Sequence, residues 1–190
     1  GKQLAALAGQ HMKRVTMELG GKSVALILEG ADLDIALDKT LSSVYTNSGQ
    51  TCSALTRLLI PVSMKEEIEQ RLIEKTQQYQ VGHPFNQEVE MGPVQSFTQF
   101  ETVRDYVREG LKEGATMLIG EVPKDVWIKP VVFVDVKNDM KIAQEEIFGP
   151  VLSVITYESV EEAIDLANAS RYGLSGGVFG PDEQAVEVAK

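Results

Sequence analysis

The sequence of 190 residues contains a single cysteine and only two histidines. One cysteine excludes an intrachain disulfide, and with two scattered histidines it supplies no recognised ligand spacing for zinc. No stretch combines a basic start, an apolar centre and a small-residue cleavage site, which favours a reducing cytoplasmic location. We therefore expect neither a disulfide framework nor a metal site.

Long apolar runs and clusters of positive charge are also missing. The longest apolar runs, at 24–28 and 130–134, have the length of strands and fall far short of the roughly 20 residues that span a bilayer. The formal net charge of −10 is spread along the chain, and such a field repels phosphate backbones and anionic lipid. We expect a soluble chain that binds neither nucleic acid nor a membrane.

What the sequence does contain is an alternation of short apolar strands with amphipathic helices. Such alternation is typical of an α/β protein with a mostly parallel twisted sheet and helices on both faces. Sites in these sheets gather in loops at the carboxyl ends of the strands, so we expect them there. The predicted strands are 24–28, 58–62, 116–119, 131–136, 151–157 and 175–179.

Helix starts are predicted from N-cap residues. Asp32 precedes one apolar-periodic segment, and Ser63, Ser96 and Ser159 each precede another, with Glu or Gln three residues later as a capping box. The helix after Ser96 is predicted to pack through Phe100, Val103, Val107 and Leu111. Both ends of the chain read as helix interior, at 1–8 and 182–190, so we expect a piece of a longer protein.

Cys52 lies in the polar run 47–53, between a predicted helix and an apolar strand. The thiolate attacks carbonyl carbon, and a loop position lets it reach a substrate. A lone cysteine is also commonly an inert small residue, so position alone leaves both roles open. His83, between Gly82 and Pro84, is more typical of a turn residue than of a partner for the thiol.

Carboxylates suggest two further roles. Glu18 precedes the pair Gly20-Gly21, where the backbone can approach a ligand closely, so it is either a base that activates water or a solvated surface acid. Glu146 could bind a ribose diol and Phe148 could pack on a flat ring. By pattern alone, a surface acid and a core aromatic explain this second pair better.

Three runs in order resemble the signatures of the aldehyde dehydrogenase superfamily: MELGGK at 17–22, GQTC at 49–52 and EEIFGPV at 145–151. Glu18 and Cys52 stand 34 positions apart, the separation expected of that family's general base and nucleophile. The resemblance implies that Cys52 attacks an aldehyde, with the oxyanion held partly by its own backbone N–H, and that hydride passes to NAD(P)+. Water deprotonated by Glu18 then hydrolyses the thioester to a carboxylic acid.

The same resemblance implies a cofactor site. Glu146 would hydrogen-bond the nicotinamide ribose, Phe148 would pack beside it, and Leu19 with Gly20 would line the nicotinamide site through their backbone. Gln99 matches a position that approaches the cofactor, NAD or NADP, although its place in a capping box explains it equally well.

The resemblance also implies how the chain is organised. Residues 1–16 would end a helix of an absent cofactor-binding domain, and residues 17–190 would form a catalytic domain truncated at its C-terminus. The full-length protein would be a homodimer or homotetramer, and the isolated chain would show little or no turnover. The alternatives are a CoA-acylating aldehyde dehydrogenase, a cysteine-dependent esterase or acyltransferase without redox chemistry, and a non-catalytic scaffold.

Overall fold

The computed structural model describes all 190 residues and contains six strands and seven α-helices. The strands are β1 (Val24–Ile27), β2 (Arg57–Pro61), β3 (Thr116–Ile119), β4 (Val131–Val134), β5 (Val151–Tyr157) and β6 (Gly176–Phe179). The helices are α1 (Lys2–Gln10), α2 (Leu33–Tyr45), α3 (Lys65–Thr76), α4 (Phe97–Lys112), α5 (Lys141–Gln144), α6 (Val160–Asn168) and α7 (Asp182–Val188).

The strands form one sheet in the order β3-β4-β5-β2-β1-β6. All neighbouring pairs are parallel except β3 with β4, which is antiparallel. Four of the strands, β1, β2, β4 and β5, are buried almost throughout, because helices cover both of their faces. The predicted α/β class with a mostly parallel sheet is therefore confirmed.

Two separate apolar cores lie on opposite faces of the sheet, as the alternation along β1 shows. Val24 and Leu26 face a core that includes Phe100 and Val103 of α4, whereas the intervening Ala25 faces the other core. That second core receives α2 and α3 through Leu33, Leu37, Leu41, Val44, Ile68 and Leu72. Each fully buried aliphatic side chain contributes roughly 1.5–3 kcal/mol of hydrophobic stabilisation.

Three of the four predicted N-caps are confirmed by hydrogen bonds from the backbone of the first turn. The bonds are Ile35 N–H to Asp32 Oδ1 (3.1 Å), Gln99 N–H to Ser96 Oγ (3.1 Å) and Glu162 N–H to Ser159 Oγ (3.2 Å).

Ser63 is not a cap, and that prediction is wrong. Residues Val62–Met64 form a 3₁₀ turn, and α3 begins at Lys65 after Met64, which makes no side-chain capping bond. The Ser63 hydroxyl instead donates to Glu29 Oε1 (2.8 Å), just beyond β1. The Ser63 hydroxyl, which the local pattern assigned to the helix cap, is thus hydrogen-bonded to a carboxylate from a distant part of the sequence.

The packing prediction for α4 is also wrong at Leu111, which is 41% exposed. Gly110 is buried in its place, and a Cβ there would lie 2.9 Å from Ile142 Cδ1 and 3.3 Å from Phe133. Gly110 takes the inward position in the last turn of α4, against Ile142 of α5 and Phe133 of β4, and Leu111 faces outward.

Residues 1–20 lie outside the two cores. Helix α1 buries none of its residues, and the segment from there to β1 contains no further helix or strand. The division into residues 1–16 and 17–190 stays a prediction. None of the helices combines the length and apolar character needed to cross a membrane.

Candidate active site

The three runs singled out in the sequence meet at one edge of the sheet. The Gly21 N–H donates to Glu146 Oε1 (3.2 Å), which joins the first run to the third. A Cβ on Gly21 would lie 2.5 Å from the Cys52 carbonyl oxygen, and one on Gly49 would lie 2.1 Å from the Gly149 carbonyl carbon. These contacts bring the first run against the second and the second against the third.

This edge is formed by the amino ends of strands, not by the carboxyl ends that we expected. The three runs precede β1, β2 and β5, which are adjacent and parallel. Neighbouring parallel strands begin at the same edge, so the loops that enter them lie side by side. The expectation from the fold was wrong, because the candidate residues lie in glycine-containing loops that precede the strands and not in loops that follow them.

Cys52 is presented by an irregular connection between α2 and β2. Residues 47–49 all adopt left-handed backbone conformations, with φ of 53°, 56° and 76°. The following turn is closed by a hydrogen bond from Ala54 N–H to the Thr51 carbonyl (3.2 Å). Cys52 lies inside this turn and is partly exposed, so it is not a core residue.

Two side chains that the sequence interpretation passed over anchor this loop. The Ser48 hydroxyl donates to the Gly92 carbonyl (2.8 Å). The Gln50 amide bridges two segments, accepting from Gln95 N–H (2.9 Å) and donating to the Asn47 carbonyl (3.0 Å). Nothing in the local sequence identifies these partners, because Gly92 and Gln95 are more than forty positions downstream.

Glu18 and Leu19 precede the glycines of the first run and are exposed. Their segment is fixed near Cys52 through Gly21, whose α-carbon packs on the Cys52 carbonyl. Glu18 therefore has a carboxylate open to solvent on the same edge of the sheet as the thiol. Its role as a base that activates water stays a prediction.

Glu146 and Phe148 do not match the roles that their pattern favoured. Glu146 is partly buried, and its Oε2 would lie 2.1 Å from a Cβ on Gly20, so only glycine leaves room for this carboxylate. Phe148 is 38% exposed and has φ of 57°, a conformation that bulky residues rarely adopt. Glu146 is thus a partly buried carboxylate packed against Gly20, and Phe148 is a partly exposed ring. They are not a surface acid and a core aromatic.

The Gln99 side chain is committed to this loop. Its Nε2 donates to the carbonyls of Ile147 (3.0 Å) and Phe148 (2.8 Å). A full capping box would need that side chain to return to the Ser96 backbone N–H. Only the Ser96 half of the predicted box is formed, because the loop carbonyls take the Gln99 amide.

Lys22 is a further residue that sequence reasoning missed. It is only 2% exposed, and its Nζ has no hydrogen-bond partner. Burial, with help from the Arg57 charge, lowers the pKa of Lys22 to about 7, and the carboxylates of Glu146 and Glu145 oppose this fall. The available signal was a lysine two positions before an apolar strand.

Arg57 opens β2 and is also buried, but its guanidinium is well bonded. It donates to the carbonyls of Lys22 (3.0 Å), Leu166 (2.9 Å) and Ala167 (2.8 Å), and to Asn138 Oδ1 (3.2 Å). Burial lowers the pKa of Arg57 to about 10, so it remains charged at neutral pH. Arg57 thus ties β1 to the end of α6, and it adds to the positive potential at Lys22.

We predict that Lys22→Met stabilises the chain at low pH. Because the folded pKa lies below the unfolded value of 10.5, the unfolded chain binds the extra proton between these two values. Wild-type stability therefore rises as pH increases from about 7 towards 10.5. Below pH 7 the free energy of unfolding of the variant should exceed that of the wild type by roughly 3–5 kcal/mol, because each unit of pKa difference corresponds to about 1.4 kcal/mol. This difference should fade as the pH approaches 10.

Urea unfolding of the wild type and of Lys22→Met at pH 6 and pH 9.5 measures this difference in stability. Lys39→Met is the control, since Lys39 is exposed on α2 and its replacement should leave the pH dependence unchanged. A Lys22→Met gain that is equal at both pH values would show that the amine does not titrate as described.

A cavity of 480 Å³ adjoins the same strand ends and is lined in part by Lys22, Arg57, Tyr172 and Leu174. None of the side chains that the sequence assigned to catalysis or cofactor contact lines it. The candidate site is therefore the open surface formed by the three entry loops. No three His, Cys, Asp or Glu side chains are grouped to hold a metal ion.

The surface around Glu146 fits the nicotinamide end of a dinucleotide. The Glu146 carboxylate accepts only one protein hydrogen bond, from Gly21, which leaves lone pairs for a diol. Leu19 is half exposed and Phe148 is partly exposed, so both offer apolar surface to a flat ring. The residues present thus suit the group that the sequence resemblance implied.

Comparisons with known proteins all point to one family. The sequence-family model described as "Aldehyde dehydrogenase family" matches residues 1–190 of the chain. A protein of Staphylococcus saprophyticus, provisionally named an aldehyde dehydrogenase, is 42% identical over 192 residues, which cover 98% of this chain and 40% of that protein. A similarly named protein of Staphylococcus haemolyticus is 42% identical over 193 residues, covering 98% and 41%. The chain thus spans about 40% of the length of these relatives.

Solved structures give the same result. The NAD-dependent aldehyde dehydrogenase of Sinorhizobium meliloti is 37% identical with a TM-score of 0.94, covering 100% of this chain and 38% of that one. The betaine aldehyde dehydrogenase of Staphylococcus aureus, solved in complex with NAD+, is also 37% identical with a TM-score of 0.94, covering 100% and 39%. The chain belongs to the aldehyde dehydrogenase family.

Proposed function

We propose that the protein containing this chain oxidises an aldehyde to a carboxylic acid with NAD(P)+, using Cys52 as the nucleophile. The observation that carries the proposal is the meeting of the Glu18, Cys52 and Glu146 segments on one edge of the sheet, through the contacts of Gly21 and Gly49. Family membership supports the reaction class. The relatives that were solved with NAD+ make NAD+ the cofactor to test first.

Cys52 begins the reaction as a thiolate that attacks the aldehyde carbon. A C–S bond forms while the carbonyl π pair moves onto oxygen, and the resulting oxyanion is stabilised in part by the Cys52 backbone N–H. The bound cofactor supplies a hydride acceptor. When the oxyanion collapses, the C–H pair leaves as hydride and Cys52 carries a thioester.

Glu18 releases the product. Its exposed carboxylate takes a proton from water, and the hydroxide formed attacks the thioester carbonyl while the C–S pair returns to sulfur. This yields the carboxylic acid and restores the Cys52 thiolate. A general base at Glu18 would favour water as the acyl acceptor, and so would favour hydrolysis over transfer to CoA.

Four residues are proposed to position the cofactor. The Glu146 carboxylate would hold the nicotinamide ribose and Phe148 would pack beside it, while Leu19 and Gly20 would line the ring through their backbone. Gly20 contributes by its lack of a side chain, because a Cβ there would occupy the space of the Glu146 carboxylate. Gln99 is proposed to approach the cofactor as well: its Nε2 donates to two loop carbonyls, and its Oε1 keeps lone pairs that can accept from a hydroxyl.

We predict that Glu18→Gln separates the two half-reactions in the full-length protein. Acyl transfer to Cys52 should persist, giving a burst of about one NADH per site, while steady-state turnover should fall roughly 10²–10⁴-fold with the loss of the base. Stopped-flow absorbance of NADH measures both phases. Glu88→Gln is the matched control, because Glu88 is exposed and belongs to none of the three runs, so its replacement should leave both phases intact.

The same assay discriminates the competing reactions. Turnover that requires added CoA would contradict hydrolysis and indicate a CoA-acylating enzyme. Ester cleavage that is unaffected by nicotinamide, with no NADH formed, would indicate an esterase or acyltransferase. An unreactive Cys52 would indicate a non-catalytic scaffold.

Several wider expectations remain proposals. We expect a small aldehyde as substrate, a homodimer or homotetramer for the full-length protein, and a cytoplasmic location that keeps the single cysteine reduced. We also expect little or no turnover from residues 1–190 alone. Aldehyde oxidation by this isolated chain at a rate comparable to the full-length protein would contradict that last expectation.

A further inference from the structure

We propose that the cavity beside Lys22 is a carboxylate-binding site in which the Lys22 ammonium holds the anion. The carboxylate comes either from an Asp or Glu side chain in the part of the protein outside residues 1–190 or from a small organic acid. The proposal goes beyond the function proposed above, and no part of its test depends on dehydrogenase activity.

The Lys22 side chain faces the cavity. Lys22, Val24 and Leu26 are alternate residues along β1 and the segment that enters it, so their side chains lie on one side of the sheet. All three line the cavity of 480 Å³. Lys22 is 2% exposed, and its Nζ has no hydrogen-bond partner. An ammonium can donate three hydrogen bonds, so this lysine can bind an acceptor that enters the cavity.

The charge of the lining selects an anion. The whole chain has 28 acidic and 18 basic side chains, yet the cavity is lined by three basic side chains, those of Lys22, Arg57 and Lys190, and by no Asp or Glu. This lining repels a cation. A neutral apolar group would leave the buried ammonium without an acceptor, which is costly. An anion is therefore the occupant that the lining favours.

The carboxylates closest to Lys22 bond to other residues. Glu146 accepts from Gly21 N–H (3.2 Å), and Glu145 accepts from the Tyr106 hydroxyl (2.6 Å). Both favour the charged form of Lys22, but burial outweighs their attraction and lowers the pKa of Lys22 to about 7. A carboxylate in the cavity would supply the hydrogen bond and the opposite charge that these two acids do not.

The donors and the walls of the cavity suit a carboxylate better than a phosphate. A guanidinium has five N–H donors, and Arg57 uses four of them in bonds within the chain, which leaves one at Nη2. With the Lys22 ammonium, this donor can satisfy the two oxygens of a carboxylate, whereas a phosphate presents more oxygens and more charge. Nine of the 18 lining residues are hydrophobic, which suits the carbon chain that a carboxylate carries.

Thermal unfolding of the cofactor-free, full-length protein at pH 6.5 tests the proposal. Wild type and Lys22→Met are compared in about 0.1 M sodium acetate and in the same concentration of sodium chloride; at this pH carboxylates are ionised. The control is Lys39→Met, because Lys39 is exposed on α2. Its replacement should change neither the melting temperature nor the response to acetate.

The two sources of the carboxylate give different results. If it belongs to the protein, Lys22→Met leaves it buried without a partner, and the melting temperature should fall by about 5 °C or more in both salts. If it is a small acid, acetate should raise the melting temperature of the wild type by about 2 °C or more above its value in chloride, with no such rise in Lys22→Met.

One result in solution would overturn the proposal. The increase in stability predicted above for Lys22→Met refers to residues 1–190, and a carboxylate bound to Lys22 in the full-length protein reverses its sign. A melting temperature of Lys22→Met that equals or exceeds that of the wild type in chloride, with no effect of acetate on the wild type, would exclude a carboxylate site.

A crystal structure of the full-length protein, grown with acetate, gives a check that needs no variant. We expect a carboxylate oxygen within about 3.2 Å of Lys22 Nζ, and the structure would show directly whether it belongs to the protein or to acetate. Contact of Nζ with carbonyl oxygens or water alone would overturn the proposal. So would acetate bound in the crystal without the thermal shift in solution, which would be an adventitious ion only.

Discussion

Replacing Cys52 with serine should abolish aldehyde oxidation by the full-length protein, with kcat at least about 10³-fold lower. Removal of a nucleophile commonly has an effect of this size or larger. Serine keeps the volume and the loop geometry, but its neutral hydroxyl is a far weaker nucleophile than a thiolate. The chain contains no other cysteine, so no neighbouring thiol in this segment can take over the attack on the carbonyl.

NADH formation under saturating aldehyde and NAD+ measures this loss. Iodoacetamide labelling gives an independent check, because residues 1–190 of the variant should take up no label. Ser53→Ala is a suitable control, since Ser53 is the exposed neighbour of Cys52 in the same turn and its replacement should leave the thiol reactive. Aldehyde oxidation at more than a tenth of the wild-type rate by Cys52→Ser would exclude Cys52 as the nucleophile.

The parts of the fold that local sequence determines were predictable. Apolar strands and helix caps depend on residues a few positions apart, so the parallel sheet and the caps at Asp32, Ser96 and Ser159 could be predicted from the chain. Ser63 shows the limit of this approach. Its pattern satisfied the capping rule, yet the carboxylate of Glu29, 34 positions away, decided where the hydroxyl went.

The candidate site was predictable as three sequence runs, but not as a geometry. The bond that joins Gly21 to Glu146 spans 125 positions, and no periodicity encodes such a contact. The close approach of Gly49 to Gly149 likewise depends on which strands are neighbours. Strand order also decided that the entry loops, at the amino ends of β1, β2 and β5, would carry the candidate residues.

Two glutamines and a lysine illustrate what a linear pattern leaves out. Gln99 satisfied a helix-start rule, but its amide binds the loop of Phe148, and Gln50 connects its loop to Gln95. Lys22 had no role assigned from the sequence, but its side chain is buried and its Nζ has no hydrogen-bond partner. The burial of Lys22 and the partners of the two glutamines all come from segments brought in by the fold, so only the structure assigns these roles.

Gly49→Ala should disrupt the site more severely than the loss of any single side-chain hydrogen bond in these loops. The position has φ of +76°, and an added Cβ would lie 2.1 Å from the Gly149 carbonyl carbon and 2.5 Å from Pro150 N. A left-handed conformation costs an alanine roughly 1–2 kcal/mol, and the clash adds to it because the opposing atoms are backbone that cannot rotate away. We expect a loss of about 3 kcal/mol or more in the free energy of unfolding.

The chain can reduce this strain only by separating the Cys52 loop from the Glu146 loop, and that response links stability to activity. A displacement of about 1 Å in a catalytic group lowers rates on the order of 10²-fold, so surviving folded protein should oxidise aldehyde poorly even at temperatures where it stays folded. Urea unfolding and NADH formation, measured on the same preparation, separate the two effects. Gly9→Ala is the control, because nothing lies within 4 Å of its added Cβ and a helical alanine should be neutral or stabilise by about 0.5–1 kcal/mol. Wild-type stability together with wild-type turnover in Gly49→Ala would mean that the close packing of Gly49 on Gly149 does not hold these two loops together.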